Sequence, residues 1–287
     1  MDWTIFKLLS WTETYFKKHA IDSPRLTAEI LLGFSLGIKR LDLYLQYDRP
    51  LEEDELIRFK ALIKRRIQHE PVAYITGEKG FYESRFRVGP GVLIPRPDTE
   101  IMVEKAIEVL GSSNGQGKRI LELGVGSGAV VISLARACPG HSYFAGDVSP
   151  AALASATDNA GEILDRPVHF FRGSWFSSLS PKAHFDLILS NPPYIPTRDI
   201  EDLAPEIRLH EPGPALDGGA DGLDSIREIL DSAHDHLSPG GLVLMEMGFD
   251  QKEGVKAIAG GIKAYESVEF IRDLAGHNRL VLIKKRN

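Results

Sequence analysis

The segment Leu121-Glu122-Leu123-Gly124-Val125-Gly126-Ser127-Gly128 runs from an apolar strand pattern through three alternating glycines into a helix pattern. Glycine lets the backbone turn sharply and approach a ligand closely, while amide hydrogens at the start of the helix point toward that ligand. A ligand that carries a carboxylate suits such a turn. Glycine-rich turns of this kind hold dinucleotides as well as methyl donors, so residues 124–128 alone leave both ligand classes open.

Strand and helix patterns alternate along the chain around this turn. Apolar runs predict strands at 119–123, 142–145, 168–171, 185–190 and 242–247. Amphipathic runs predict helices near 98–110, from the glycine turn to 137, and at 150–163, 223–237 and 251–262. This alternation predicts a parallel sheet with helices on both faces.

The end of the chain departs from the alternation. The strand patterns at 267–271 and 280–284 are separated by only a short turn around Gly276-His277-Asn278, so these two strands must be antiparallel. A doubly wound α/β sheet that ends in an antiparallel hairpin resembles the seven-stranded, Rossmann-like class I methyltransferase domain rather than the all-parallel dehydrogenases. We therefore expect that fold.

Two residues that follow the second and third strands are candidates for cofactor binding. Asp147 lies about twenty residues after the glycines, where a carboxylate can accept hydrogen bonds from ribose hydroxyls. Its alternative role is to cap the next helix, although Ser149 is better placed for that. Trp175 lies in Gly173-Ser174-Trp175-Phe176, and its flat face suits an adenine ring, the alternative being a tryptophan packed under a loop.

The tetrapeptide Asn191-Pro192-Pro193-Tyr194 follows the apolar strand at 185–190 and is the candidate acceptor site. Its two prolines fix the backbone and remove two amide hydrogens, so carbonyl groups are free to face a ligand. A planar amide nitrogen is a poor nucleophile because its lone pair is delocalised. Hydrogen bonds from its NH2 group to the Asn191 side-chain oxygen and the Pro192 carbonyl would turn the lone pair toward a methyl donor. Tyr194 can stack on the acceptor, and the alternative is a structural turn with a packed tyrosine.

The first part of the chain has a different character. Helix patterns occur at about 3–19, from Ser23-Pro24 to Gly37, and from 52 to Pro71, whereas residues 74–92 carry aromatic and β-branched residues broken by glycines. We predict a helical docking domain at 1–73, a β-hairpin linker at 74–94 and the catalytic domain at 95–287. Arg58, Lys60 and Lys64-Arg65-Arg66 give the helical part either a basic docking face or an ordinary solvated one.

Composition limits the possible functions. The chain has a net charge of −6, and residues 76–287 carry 22 Lys+Arg against 29 Asp+Glu, which argues against a large non-specific grip on nucleic acid. Cys138 is the only cysteine, so a multi-cysteine metal site is excluded, and the nine histidines show no metal-ligand spacing. We expect no membrane span, no metal and a cytoplasmic location.

Several longer stretches resemble one family, the peptide chain release factor N5-glutamine methyltransferases (PrmC/HemK-like). They are Pro71-Val72-Ala73-Tyr74-Ile75-Thr76-Gly77, Val92-Leu93-Ile94-Pro95-Arg96-Pro97-Asp98-Thr99-Glu100, Asn191-Pro192-Pro193-Tyr194, Glu211-Pro212, Gly218-Gly219-Ala220-Asp221-Gly222 and Glu246-Met247-Gly248. The resemblance covers nearly the whole chain, including the helical part. One departure is Glu122, where many relatives have aspartate, and the carboxylate is kept.

The resemblance implies transfer of a methyl group from S-adenosylmethionine to the glutamine side-chain nitrogen in the Gly-Gly-Gln loop of class 1 release factors, leaving S-adenosylhomocysteine. Gly124, Val125, Gly126, Ser127, Gly128, Asp147, Trp175 and Asn191 would bind the cofactor, and Asn191, Pro192, Pro193 and Tyr194 the glutamine, with Asn191, Pro192 and Tyr194 catalytic. Arg96 and Glu100 either lie at the pocket or pair with each other.

Two other functions remain as alternatives. A short Asn-Pro-Pro-aromatic motif also suits the exocyclic amine of a flipped adenine in an N6-adenine DNA methyltransferase, although that enzyme needs a basic duplex-binding cleft. A non-catalytic S-adenosylmethionine-binding accessory protein of translation is the second, although a pure binder has no use for an acceptor clamp.

Overall fold

The structure is a computed structural model that describes residues 3–111 and 117–287. The chain forms two compact units. The first contains the chain up to Glu78 together with the later segment Ala204–His210, and the second contains Lys79–Leu203 and Glu211–Asn287. The return of residues 204–210 to the first unit was not predicted from sequence.

The first unit is helical. Its helices are α1 (Ile5–Lys18), α2 (Pro24–Leu36), α3 (Arg40–Leu45), α4 (Glu53–Arg66), α5 (Val72–Thr76) and, from the later segment, a helix at Pro205–His210. A common core is formed by Ile5, Leu9, Phe16, Leu31, Leu32 and Phe59. Helix α2 begins at Pro24 and is followed by the capping residue Gly37, as predicted. Ser23, expected to cap the start of this helix, takes a positive φ of 45° and its side chain makes no capping hydrogen bond.

The β-hairpin is shorter than the sequence pattern predicted. It consists of β1 (Glu78–Phe81) and β2 (Ser84–Arg87), whereas the aromatic and β-branched residues at 74–76 belong to α5. Tyr74 and Ile75 are buried there, so packing overrides their strand propensity. The helix ends at Gly77, which has a φ of 78°.

The second unit contains the predicted mixed sheet. Its strands are β3 (Arg119–Leu123), β4 (Ser142–Asp147), β5 (His169–Arg172), β6 (Phe185–Ser190), β7 (Leu237–Glu246), β8 (Tyr265–Arg272) and β9 (Asn278–Lys285). They lie in the order β5-β4-β3-β6-β7-β9-β8; β9 pairs antiparallel with both β7 and β8, and the other neighbouring pairs are parallel. The seven-stranded class I methyltransferase fold expected from the sequence is thus confirmed. Strand β7 begins five residues earlier than predicted, with an irregular register against β6 between Phe185 and Leu187.

Helices cover the sheet on two sides. They are α6 (Glu100–Gly111), α7 (Ala129–Ala137), α8 (Pro150–Ile163), α10 (Asp224–His236) and α11 (Lys252–Gly261), with α9 being the Pro205–His210 helix of the first unit. One apolar cluster includes residues of α6, α7 and α8, and the other includes residues of α10 and α11. Alternate strand side chains enter the two clusters, as Ile120 and Leu121 of β3 do. Among the described residues no helix is long and apolar enough to cross a membrane.

Topology fixes where a ligand can bind. The chain order of the strands reverses at β3, which lies between β4 and β6. In open α/β sheets such a switch point leaves a crevice at the carboxyl ends of the strands. The residues that follow β3, β4, β5 and β6 therefore meet at one edge of the sheet.

Glu122 places a carboxyl group inside this sheet. It is 2% exposed, and its Oε2 accepts a hydrogen bond of 2.8 Å from the backbone N–H of Val131. Burial raises the pKa of Glu122 to about 8, the Val131 hydrogen bond opposes this, and the charge of Asp147 adds to it. The folded chain therefore keeps Glu122 protonated at neutral pH.

We expect Glu122→Gln to remove a pH-dependent loss of stability. The ordinary pKa of Glu122 is 4.5, so between that value and about 8 the unfolded chain releases a proton that the folded chain retains. The free energy of unfolding then falls as pH rises, by up to about 1.4 kcal/mol per pH unit. Urea denaturation of the ligand-free protein across this range should show the variant gaining stability relative to the wild type. Equal pH dependence in both proteins would contradict this.

Candidate active site

A cavity of about 360 Å³ lies at the carboxyl ends of the strands in the second unit. Its walls come from segments that are far apart in sequence. They include Gly91, Leu93, Gly124, Gly126, Asp147, Val148, Ser149, Ala152, Gly173, Ser174, Trp175, Asn191, Pro193, Pro212, Pro214, Ala215, Asp217 and Ser225. The cavity thus brings together the glycine turn, the two strand-end candidates and the Asn-Pro-Pro motif.

The glycine turn forms the floor of the cavity between β3 and α7. Gly124 and Gly126 line it and have positive φ angles of 72° and 55°, which residues with side chains rarely adopt. The backbone N–H groups of Gly124 and Val125 donate to the Gly146 carbonyl on the neighbouring strand. Val125 and Ser127 are buried and do not line the cavity, nor does Gly128, which packs against α7 and α8. Their positions indicate support of the turn.

Asp147 joins the glycine turn to the second strand end. Its Oδ2 accepts a 3.0 Å hydrogen bond from the Gly126 N–H, and its Oδ1 accepts one of 2.8 Å from the Ser149 N–H. Ser149 caps α8, as predicted, through its hydroxyl and the Ala152 N–H. Because each carboxylate oxygen can accept a further hydrogen bond, Asp147 retains capacity for two ligand hydroxyls.

Apolar side chains flank the carboxylate. Trp175 has a φ of 45°, and its ring lies 3.7 Å from the point where a β-carbon on Gly124 would be. Val148 lines the same cavity and is 60% exposed, which leaves its side chain free for contact with a ligand. A flat ligand can lie against these two side chains. Sequence reasoning missed Val148, whose only signal was its position directly after Asp147.

The Asn-Pro-Pro-Tyr segment forms another wall. Asn191 and Pro193 line the cavity, whereas Pro192 is buried and Tyr194 is half-buried. The Asn191 Nδ2 donates to the Thr99 Oγ1 at 3.2 Å, and the Tyr194 hydroxyl donates to the Glu246 Oε1 at 3.0 Å. These contacts hold both polar side chains of the motif from behind the cavity.

Burial and the neighbouring Glu246 determine the protonation state of Tyr194. Burial raises the pKa of Tyr194, and the charge of Glu246 raises it further. Burial likewise raises the pKa of Glu246, although hydrogen bonds from Thr99 and Tyr194 and the charge of Arg279 oppose that shift. Tyr194 is therefore a neutral hydrogen-bond donor at physiological pH.

A glycine loop packs directly on the motif. The Gln251 Nε2 donates to the carbonyls of Tyr194 at 2.8 Å and Gly222 at 3.0 Å. A β-carbon on Gly218 would lie 2.8 Å from the Tyr194 Cα, so only glycine fits there. The Gly218–Gly222 stretch thus has a packing role that the sequence alone did not assign.

Arg96 and Glu100 do not pair with each other. The Arg96 guanidinium contacts the Glu211 Oε1 at 2.5 Å, and the Ile94 N–H donates to the other oxygen of Glu211 at 3.1 Å. Glu100 accepts a hydrogen bond from the Tyr82 N–H. Arg96 therefore anchors the segment that contributes Pro212, Pro214 and Ala215 to the cavity. Among residues 3–111 and 117–287, no group of three or more His, Cys, Asp or Glu is arranged to hold a metal ion.

Comparison with family models gives matches over both parts of the chain. The model of the PrmC N-terminal domain matches residues 7–77, and that of the methyltransferase small domain matches residues 99–208. Among solved structures, a methyltransferase from Pyrococcus furiosus superposes with a TM-score of 0.52 at 22% identity, covering 70% of this chain and 88% of that one. This likeness supports the fold.

Curated relatives are similar over almost the full length. The release factor glutamine methyltransferase of Geobacter sulfurreducens is 44% identical over 253 residues, 88% of this chain and 87% of that protein. The release factor glutamine methyltransferase of Rhodopirellula baltica is 36% identical over 286 residues, 99% and 97% of the two chains. With these identities and the matching domain models, the chain belongs to the release factor glutamine methyltransferase family.

Proposed function

We propose that this protein transfers a methyl group from S-adenosylmethionine to the side-chain amide nitrogen (N5) of the glutamine in the Gly-Gly-Gln loop of class 1 peptide chain release factors. The observation that carries the proposal is the juxtaposition of two features in one cavity. The glycine turn with Asp147 forms one wall, and Asn191 with Pro193 forms another. The identity of the acceptor is inferred from the family to which the chain belongs. The chemistry is inferred from the residues that line the cavity.

The residues of the first wall suit S-adenosylmethionine. The open backbone at Gly124 and Gly126 can approach the methionine part of the molecule closely, and Asp147 has acceptor capacity for both ribose hydroxyls. Trp175 and Val148 offer apolar contact to the adenine ring. When bound, the sulfonium of S-adenosylmethionine supplies an activated methyl group, and this chemistry requires no metal.

The residues of the second wall suit a carboxamide. The Asn191 Oδ1 and the Pro192 carbonyl can each accept one hydrogen of the glutamine NH2 group. Two such bonds fix the nitrogen so that its lone pair faces the donor. As the N–C bond forms, the S–C bond breaks, and the amide nitrogen then loses its extra proton to water. Tyr194 remains neutral and closes the acceptor side.

The exposed side chains of the helical unit support a docking role for it. Its arginines are largely used internally, since Arg58 pairs with Asp54, Arg65 with Glu70 and Arg66 with Glu206. A basic docking face is therefore not favoured. Instead, Phe6, Leu41, Tyr44 and Leu45 are 44–75% exposed, and Tyr47 contacts both Phe6 and Tyr44. We assign the release-factor contact to this apolar face of residues 1–73, with 74–94 as the linker and 95–287 as the transferase.

This proposal implies a cytoplasmic reaction, because class 1 release factors act on the ribosome. The alternatives of an N6-adenine DNA methyltransferase and a non-catalytic accessory protein are not favoured. The relatives at 36–44% identity are named as release factor glutamine methyltransferases. The acidic catalytic part also offers little attraction for duplex DNA.

Substitutions in the two walls of the cavity should have different effects, one mainly on kcat and the other mainly on S-adenosylmethionine affinity. Asn191→Ala is expected to lower kcat for release-factor methylation by roughly 100-fold or more, since it removes an acceptor contact. It should weaken S-adenosylmethionine binding less than Asp147→Ala does, because Asn191 is only one of several residues expected to contact the cofactor. Asp147→Ala is expected to weaken S-adenosylmethionine binding by about 10- to 100-fold, through loss of charge-assisted hydrogen bonds. Calorimetry and steady-state kinetics measure both effects.

Asp165→Ala, at an exposed position of the same unit, is the matched control and should change neither quantity. Unchanged methylation by the Asn191 variant, or unchanged cofactor affinity in the Asp147 variant, would refute the role assigned to that wall.

A substitution in the apolar face of the helical unit should change KM for the release factor and leave kcat unchanged. Leu41→Asp places a carboxylate in the first turn of α3, where it is well tolerated, and should raise KM for the intact release factor by roughly 10-fold with kcat unchanged. Leu274→Asp makes the same change at a fully exposed position of the second unit and serves as control. Equal KM values for both variants and the wild type would contradict docking through α3.

A further inference from the structure

A chain of three hydrogen bonds runs behind the acceptor wall. The Asn191 Nδ2 lies 3.2 Å from the Thr99 Oγ1, the Thr99 Oγ1 lies 2.7 Å from the Glu246 Oε2, and the Tyr194 hydroxyl lies 3.0 Å from the Glu246 Oε1. Thr99 and Glu246 are 4% and 1% exposed. Neither residue lines the cavity, so neither can contact the substrate there. These hydrogen bonds are buried and link the side chains of Asn191 and Tyr194.

The donor and acceptor in each of these hydrogen bonds follow from the number of protons that each group carries. The Thr99 and Tyr194 hydroxyl groups both donate to the Glu246 carboxyl group, one to each oxygen. A threonine hydroxyl has a single proton, and Thr99 uses it toward Glu246. The Thr99 oxygen can therefore only accept from Asn191. The carboxamide of Asn191 must turn its NH2 group toward Thr99 and its Oδ1 toward the opposite side.

Thr99 and Glu246 are both held by regular elements of the fold. Thr99 ends a short 3-10 turn at Pro97–Thr99, and its neighbour Asp98 contacts Arg279 at 3.1 Å. Arg279 also contacts Asp273 at 3.1 Å. Glu246 ends β7 and lies opposite Leu280 of β9. The hydroxyl and the carboxylate therefore have fixed positions relative to the end of β6.

Orientation matters because the two ends of an asparagine side chain have opposite hydrogen-bonding character. An outward Oδ1 accepts from a nitrogen that carries hydrogens, whereas an outward NH2 group would oppose an NH2 group and favour a carbonyl or carboxylate oxygen. The network here selects the orientation that suits an amide.

We propose that Thr99 and Glu246 are positioning residues that fix the Asn191 carboxamide with its oxygen toward the acceptor, and so make the site selective for an amide nitrogen. This inference rests on the proposed function, because it assumes that Asn191 contacts the acceptor. It assigns no contact with substrate or cofactor to Thr99 or Glu246. Thr99 acts through Asn191, and Glu246 acts through Thr99 and also holds the Tyr194 hydroxyl.

The test compares Thr99→Val, which removes the hydroxyl at nearly constant size, with Thr99→Ser, which keeps it. We expect Thr99→Val and Glu246→Gln each to lower kcat on release factor by about 10- to 100-fold, Thr99→Ser to stay within about threefold of wild type, and S-adenosylmethionine affinity to change little in all three. In an Asn191→Ala background, Thr99→Val should cause no further loss. A merely structural role would give equal losses for the Val and Ser variants, or additive losses with Asn191→Ala, and either result would overturn the proposal.

A second readout needs no substrate. In nitrogen-15 labelled protein, the side-chain NH2 signals of Asn191 are those missing from Asn191→Ala. They should exchange slowly with water in the wild type and in Thr99→Ser, and rapidly in Thr99→Val. If the wild type fails to methylate release factor but shows this pattern, the proposed function fails and the positioning stands. Rapid exchange in the wild type, or no difference between the Val and Ser variants, would overturn the positioning.

Discussion

The parallel pairing of β3 with β6 places Leu123 opposite Ser190 at the carboxyl ends of the two strands. The Ser190 hydroxyl donates to the Leu123 carbonyl at 2.9 Å, which ties these ends together inside the core. The glycine turn begins one residue after Leu123, and the Asn-Pro-Pro motif begins one residue after Ser190. As a result, a β-carbon on Gly124 would lie 3.9 Å from the Asn191 carbonyl oxygen. The register of this strand pair therefore brings the proposed donor and acceptor walls into one cavity.

Much of this arrangement follows from local sequence pattern. Period and turn residues predict β3, β4, β6 and the final antiparallel hairpin, because buried strands and their bounding turns carry strong local signals. The glycine turn, Asp147, Trp175 and Asn191 could be selected as candidates because each follows a predicted strand, and parallel strands end at one edge. The cavity contains all four of these positions.

The rest depends on contacts between distant residues. Thr99 and Glu246 are separated by 147 residues, and Asn191 and Thr99 by 92, so no local pattern reveals their hydrogen bonds. The helix at 72–76 forms because Tyr74 and Ile75 are buried, against the strand propensity of the segment. Residues 204–210 join the helical unit, where Glu206 pairs with the buried Arg66. A buried arginine needs such a partner, but its identity cannot be read from composition.

We propose that the methyl acceptor is the glutamine side-chain nitrogen of a release factor. The most direct test of this proposal is transfer of a labelled methyl group from S-adenosylmethionine, offered purified class 1 release factor and adenine-containing duplex DNA in separate reactions, with mass spectrometry to locate the mark. We expect a single methyl group on the glutamine of the Gly-Gly-Gln loop and none on DNA. Label on DNA alone, or on a different residue of the release factor, would contradict the assignment of the acceptor.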